Sequence, residues 1–133
     1  MVGLELLKFF LIIVAAGTIS ALTDYVFTGS WVQKRFTDPA IWRIDHGGKA
    51  AFLASLLPFF TCAIFAFTAN QLSIRSVHAS IKLAIAMWAI GPLPLILTNV
   101  AFLKLRWAYA MNYAIAWLVK LTIIAVLVGR LLR

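Results

Sequence analysis

The chain has 133 residues, of which 64% are apolar and 12% are charged, and its mean hydropathy is +1.00. Soluble domains average about 45–50% apolar and about 25% charged residues, so this composition excludes a disordered chain and argues against a water-soluble core. The single cysteine, Cys62, excludes an intrachain disulfide framework and any multi-cysteine metal site. These figures predict a small integral membrane protein.

The charge is strongly basic, with 12 Lys and Arg residues against four Asp and Glu and a net charge of +8. The cations stand in short groups between long apolar runs, which is typical of side chains that reach anionic headgroups. No basic stripe with interleaved aromatic residues is long enough to follow a nucleic-acid backbone. We therefore expect membrane lipid as a partner and no nucleic acid.

Four stretches are long and apolar enough to cross a bilayer, which takes about 20 residues of helix. They predict an all-α, four-helix transmembrane bundle that forms a single domain over residues 1–133. The predicted helices cover about residues 9–27, 50–72, 83–103 and 108–128. The first is longer than the apolar region of a signal peptide and no small-x-small cleavage pattern closes it, so we expect it to remain as a helix.

The connection between the first two helices mixes indoles with cations and contains the helix-start pair Asp38-Pro39. Tryptophan prefers the membrane–water interface, and neighbouring cations reach the headgroups. We expect a short amphipathic interfacial helix over about residues 31–45, and a solvated loop with anchoring tryptophans is the alternative. The expected anchors are Trp31, Lys34, Arg35, Trp42 and Arg43.

The orientation in the membrane is not set by the charges. An even number of helices places both termini on one side, where five cations lie, and six lie on the opposite side. This difference is too small to fix the topology by the positive-inside rule. We expect a single orientation set by other features, and insertion both ways up with antiparallel dimers is the alternative.

Asp24 and Lys120 are the charged residues of the predicted spans with the most functional interest, because charges in hydrocarbon are costly. Asp24 lies about 6 Å from the loop end of its helix, and Lys120 lies about 18 Å deep. We therefore expect no direct ion pair between them. Lys120 either contacts a ligand inside the bundle or extends its ammonium toward the surface near Arg130.

Asp24 is expected instead to meet Tyr109, Asn112 or the corner between helices three and four at Lys104 and Arg106. Its carboxylate is either a titratable group in a membrane cavity or a helix-end carboxylate that fixes packing. If the protein is an enzyme, the candidate acid–base groups are Asp24, Tyr109 and Tyr113.

The third helix carries Gly91-Pro92-Leu93-Pro94, and prolines at mid-helix predict a kink or break. Broken helices at this depth often mark a binding site, and a kink that only shapes packing is the alternative. Trp88 stands one turn before the glycine and is a candidate to line a pocket. The full set of ligand-binding candidates is Trp88, Pro92, Asn99, Asn112 and Lys120.

No metal or cofactor is expected. His46 and His78 precede successive helices and so lie on opposite membrane faces, where they cannot share a metal within one chain. The sequence contains no Gly-rich phosphate loop, Gly-x-Ser-x-Gly elbow or Cys-x-x-Cys pair. The lack of an assembled acid–base pair argues against catalysis without excluding it.

Two segments carry a resemblance to a known family: residues 21–31 (ALTDYVFTGSW) after helix one, and Met87-Trp88…Pro92…Asn99-Val-Ala-Phe102 in helix three. The pattern resembles the small four-helix bacterial membrane proteins that are grouped as a domain of unknown function. The resemblance implies the four-helix fold and brings no established activity. The expected location is a bacterial inner membrane.

Three functions compete at this point. The first is a non-enzymatic bundle that accommodates a lipid-like or other hydrophobic small molecule, or a partner subunit. The second is a small proton-coupled exporter that works through Asp24, and the third is a membrane enzyme acting on an apolar substrate. A homodimer is expected because small residues on helix one offer a close-packing surface. These residues are Ala15, Ala16, Gly17, Ser20 and Ala21.

Overall fold

A computed structural model describes residues 2–28, 47–103 and 105–132. It contains the helices α1 (Val2–Thr28), α2 (Gly47–Gln71), α3 (Val77–Ile90), α4 (Pro92–Phe102) and α5 (Trp107–Leu131). Because α3 and α4 form one apolar unit, the described chain has four helical units long and apolar enough to cross a membrane. The predictions of an all-α four-helix bundle and of an integral membrane protein are confirmed. The expected interfacial helix over residues 31–45, with its five anchors, lies outside the described residues.

The helices begin earlier than the apolar stretches do. Helix α1 starts at Val2 and the third span at Val77, about six residues before the expected starts. Lysine and glutamate are good helix formers, so the helix continues through polar residues such as Glu5 and Lys82. Ser76 fixes the start of α3, where its hydroxyl accepts a hydrogen bond from the Ala79 N–H at 3.2 Å.

Large apolar side chains cover the outside of the bundle. Phe60 is 67% exposed, Ile90 80% and Phe102 85%. Soluble monomers rarely expose contiguous apolar surface on this scale, whereas lipid tails solvate it without cost. Helix α5 is the central element, since it packs against each of the other four helices. Of its most apolar stretch 44% is buried, against 11% for the third span.

The main core lies in the half of the bundle that contains the chain ends. Its fully buried members include Ala16 of α1, Phe65 of α2, and Ile124 and Val128 of α5. A smaller cluster near the other end joins Ile96 of α4 to α5. The bundle is therefore closely packed at one end, while α2 and α4 are held together mainly through α5 at the other.

The small residues of α1 are used inside the chain. Ala16, Gly17 and Ser20 are buried, and the Ser20 hydroxyl lies 3.8 Å from the Cys62 sulfur of α2. Part of the close-packing surface that suggested a homodimer thus packs against α2. The homodimer itself stays a prediction.

The third span breaks where the two prolines predict it. Helix α3 ends at Ile90, Gly91 adopts φ −101° and ψ −86°, and Pro92 starts α4. Since a proline has no N–H, Pro92 leaves the carbonyl of Trp88 without its usual donor. The predicted interruption of helix three is confirmed.

Candidate functional site

A partly buried ion pair joins α1 to α5. The Lys120 ammonium lies 3.0 Å and 3.1 Å from the two carboxylate oxygens of Asp24 and 3.7 Å from the centre of the Trp117 ring. The Lys120 side chain is 6% exposed and that of Asp24 is 30% exposed. The expectation that depth prevents this ion pair is wrong.

Asp24 and Lys120 can meet because the ends of α1 and α5 at this membrane face do not lie at the same height. The Asn112 side-chain N–H₂ donates to the Phe27 carbonyl at 2.6 Å, so these two residues lie at the same height. Counted from that level, Asp24 is three residues deeper and Lys120 eight, a difference of about 7.5 Å rather than 12 Å.

The direction of the side chains closes the remaining gap. In a helix, the Cα–Cβ bond tilts toward the N-terminus. Helices α1 and α5 are antiparallel, so Asp24 leans into the membrane and Lys120 leans outward to meet it. A lysine side chain spans roughly 6 Å, which covers the difference in height. For the same reason the ammonium points away from the Arg130 end, toward which it was expected to extend as one alternative.

Asn112 has a structural contact. The last four carbonyls of a helix have no partner within it, and the Asn112 amide supplies a donor to one of them at the end of α1. Asn112 had been considered as a partner of Asp24, but its donor contacts the backbone three residues further along. Lys104, part of the other expected partner, lies outside the described residues.

A cavity of about 720 Å³ lies between α2 and the broken third span, with α5 as its floor. It forms where the packing between α2 and α4 is sparse, next to the break at Gly91. Pro92 and Asn99, both candidates from the sequence, line this cavity. The other lining residues are Phe60, Thr61, Ile64, Phe65, Met87, Gly91, Leu95, Ile96, Tyr113, Trp117 and Leu121.

Among the described lining residues, four side chains carry a hydrogen-bonding group, namely those of Thr61, Asn99, Tyr113 and Trp117, and none is charged. The Thr61 hydroxyl donates to the Leu57 carbonyl of its own helix at 3.0 Å. Within residues 2–28, 47–103 and 105–132, the side chains of Asn99 and Tyr113 make no hydrogen bond. Both lie toward the end of the bundle where α4 passes into α5. The cavity is therefore apolar toward mid-membrane and has two available hydrogen-bonding groups toward one face.

Trp117 belongs to both features. Its ring lines the cavity and also contacts the Lys120 ammonium. The structure thus places the ion pair next to the cavity, with Lys120 itself not among the lining residues. The remaining candidate, Trp88, anchors α3 to α5 by donating from its indole N–H to the Ala114 carbonyl at 2.9 Å.

Sequence reasoning missed the wall of the cavity that α2 provides. No sequence motif marks Phe60, Thr61 and Ile64. They line the cavity because of how α2 packs against α5. Trp117 could have been found, because it follows Tyr113 by four residues and so lies on the same face of α5.

The three candidate acid–base groups are not gathered into one recognisable catalytic set. Asp24 is held by Lys120, whereas Tyr109 and Tyr113 stack on each other with ring centres 5.9 Å apart. In the part of the chain that the structure describes, no three His, Cys, Asp or Glu side chains come together to hold a metal.

Comparison with protein-family models, with curated proteins and with solved structures finds no match to this chain. The resemblance to a domain of unknown function therefore stays a prediction.

Proposed function

We propose that this integral membrane protein binds a lipid-like molecule, without catalysing a reaction, in the cavity between α2 and the broken third span. The observation that carries the proposal is the cavity itself. Its volume of about 720 Å³ falls within the roughly 300–1,000 Å³ of small-molecule sites, which are mostly apolar with a few placed polar groups.

The exposure of the cavity walls supports access from the bilayer. Phe60, Ile64 and Leu95 line the cavity and are 67%, 47% and 62% exposed. A cavity with such walls opens on the outer, lipid-facing surface of the bundle. A lipid-like molecule could enter sideways from the membrane and would not have to cross a polar surface.

The surroundings of Asp24 favour binding over proton-coupled export. An exporter of that kind needs a carboxylate that titrates in a cavity open to its substrate. Both oxygens of Asp24 face the Lys120 ammonium, and Asp24 is not among the cavity-lining residues. Its contacts are those of a group that fixes the register of α1 on α5.

Photolabelling of protein reconstituted in lipid vesicles tests the proposal. The probes are a monoacylglycerol and a lysophosphatidylglycerol whose single acyl chain carries the same diazirine. We expect labelling of the α4 segment, residues 92–102, where it faces the cavity. Thr61→Trp fills the cavity from α2 and should reduce that labelling several-fold, with labelling of the outer face of α1 unchanged.

Thr18→Trp is the matched control. Thr18 is exposed, and its hydroxyl donates to the Val14 carbonyl of its own helix at 2.7 Å, so both variants lose the same kind of backbone hydrogen bond. Of these two threonines, only Thr61 lines the cavity. If both probes label α4 to the same extent in Thr61→Trp, in Thr18→Trp and in the wild type, the cavity does not hold a lipid and the proposal is wrong.

A further inference from the structure

We infer that the cavity selects a lipid whose polar end is uncharged and hydrogen-bonding, with Asn99 and Tyr113 as the residues that bind it. The chemical class is a neutral lipid that ends in a hydroxyl or carbonyl group. This inference rests on the proposed function, because it concerns the ligand of the same cavity.

The charges around the cavity carry the first part of the inference. None of the lining residues in the described part of the chain is charged. The nearby Lys120 ammonium is held by both oxygens of Asp24, so its charge is already compensated. A phosphate inside the cavity would lie in a medium of low dielectric without a counter-charge, which costs several kcal/mol. An uncharged polar group escapes this cost.

The two hydrogen-bonding side chains carry the second part. An asparagine amide and a tyrosine hydroxyl each donate and accept, so each can bind either a hydroxyl or a carbonyl group. Neither has a side-chain hydrogen bond to the described part of the chain. A ligand group that pairs with either of these partly buried side chains gains a hydrogen bond in apolar surroundings, and therefore affinity.

Depth orients the ligand. Asn99 is three residues, about 5 Å, from the end of α4, and Tyr113 is six residues, about 9 Å, from the start of α5. Both therefore lie below the level of the helix ends, and the described lining beyond them is apolar at Met87, Phe65 and Leu121, with the Trp117 indole as its one polar side chain. The acyl chain points toward mid-membrane, and the polar end stays nearer the face where α4 meets α5.

The test compares the two photoreactive probes, which share one acyl chain and differ only in the head. The measured quantity is labelling of residues 92–102 relative to the outer face of α1. We expect the monoacylglycerol to label the cavity at least about fivefold more than the lysophosphatidylglycerol in the wild type. Tyr113→Phe and Asn99→Leu should each lower this preference about two- to tenfold, the value of one hydrogen bond.

Tyr109→Phe is the control, because Tyr109 stacks on Tyr113 but does not line the cavity, and it should leave the preference unchanged. Tyr113→Phe keeps the ring, so its packing is preserved even if Asn99→Leu folds poorly. Equal cavity labelling by both probes, or an unchanged preference in Tyr113→Phe, overturns the inference about the head while leaving lipid binding in place. Failure of the proposed function is distinguishable, because then Thr61→Trp does not reduce labelling by either probe.

Discussion

Removing one charge of the Asp24–Lys120 pair should have a very different effect depending on which charge is removed. Asp24→Asn leaves the Lys120 ammonium, whose side chain is 6% exposed, without its carboxylate. The Lys120 backbone stands 13 residues into α5, about 20 Å from the start of the helix, and only the extended side chain brings the ammonium to the level of Asp24. Lys120→Met leaves a carboxylate that is 30% exposed and about 6 Å from the end of α1.

The magnitudes follow from depth and exposure. An unpaired lysine at the central position of a membrane-spanning helix costs about 3 kcal/mol, and a buried pair that loses one partner costs about 3–5 kcal/mol. Asp24→Asn should therefore lower the free energy of unfolding by about 3 kcal/mol. Lys120→Met should lower it by about 1 kcal/mol, since water and headgroups reach the remaining carboxylate. The double variant removes both charges and should lie within about 1 kcal/mol of the wild type.

The measurement is reversible unfolding in mixed micelles, followed by circular dichroism, for all four proteins of the double-mutant cycle. We expect a coupling energy of about 3–5 kcal/mol, because the single losses sum to about 4 kcal/mol and the double variant differs from the wild type by at most about 1 kcal/mol. Glu5→Gln and Lys8→Met provide the control, because this exposed pair is separated by 3.8 Å and should change stability by less than about 1 kcal/mol. Additive single effects, or a larger loss in Lys120→Met than in Asp24→Asn, would refute the reasoning.

Three further predictions concern packing and capping, and the same unfolding measurement checks each. Gly129→Ala puts a methyl group 2.7 Å from the Val77 Cα and should lower the free energy of unfolding by about 2 kcal/mol. Gly3→Ala is the control, because its methyl group has nothing within 4 Å and should cause no loss. Equal effects of the two variants would contradict the close approach of α3 and α5. Ser80→Ala removes a buried hydroxyl that has no hydrogen-bond partner in the described chain and should stabilise by about 1 kcal/mol; a loss would show that this hydroxyl is bonded. Asn112→Leu removes the donor to the end of α1 and should cost about 1 kcal/mol; no loss would refute the cap.

The break in the third span shows what local chemistry decides. Pro92 and Pro94 lack a backbone donor whatever surrounds them, so the interruption next to Gly91 could be predicted from four consecutive letters. The four membrane-crossing units could be predicted in the same way, because the length and apolar character of a span are properties of one segment. The exact starts could not, since the helices continue through polar residues beyond the apolar stretches.

The Asp24–Lys120 pair is a contact that the sequence alone does not determine. Residue counting gives the depth of a residue only within its own helix. The offset between α1 and α5 along the membrane normal is fixed where Asn112 contacts Phe27, and these residues are 85 apart in sequence. An offset of a few ångströms decides whether two charges meet, because Coulomb and hydrogen-bond energies fall off over that distance.

The sequence by itself determined the class of protein, its four apolar spans and the site of the break, because each depends on neighbouring residues alone. Only the tertiary structure decided that Asp24 binds Lys120 and that α2 and α4 leave a cavity over Trp117. Both depend on how antiparallel helices are shifted and tilted against each other, and that arrangement results from side chains packing across the whole bundle.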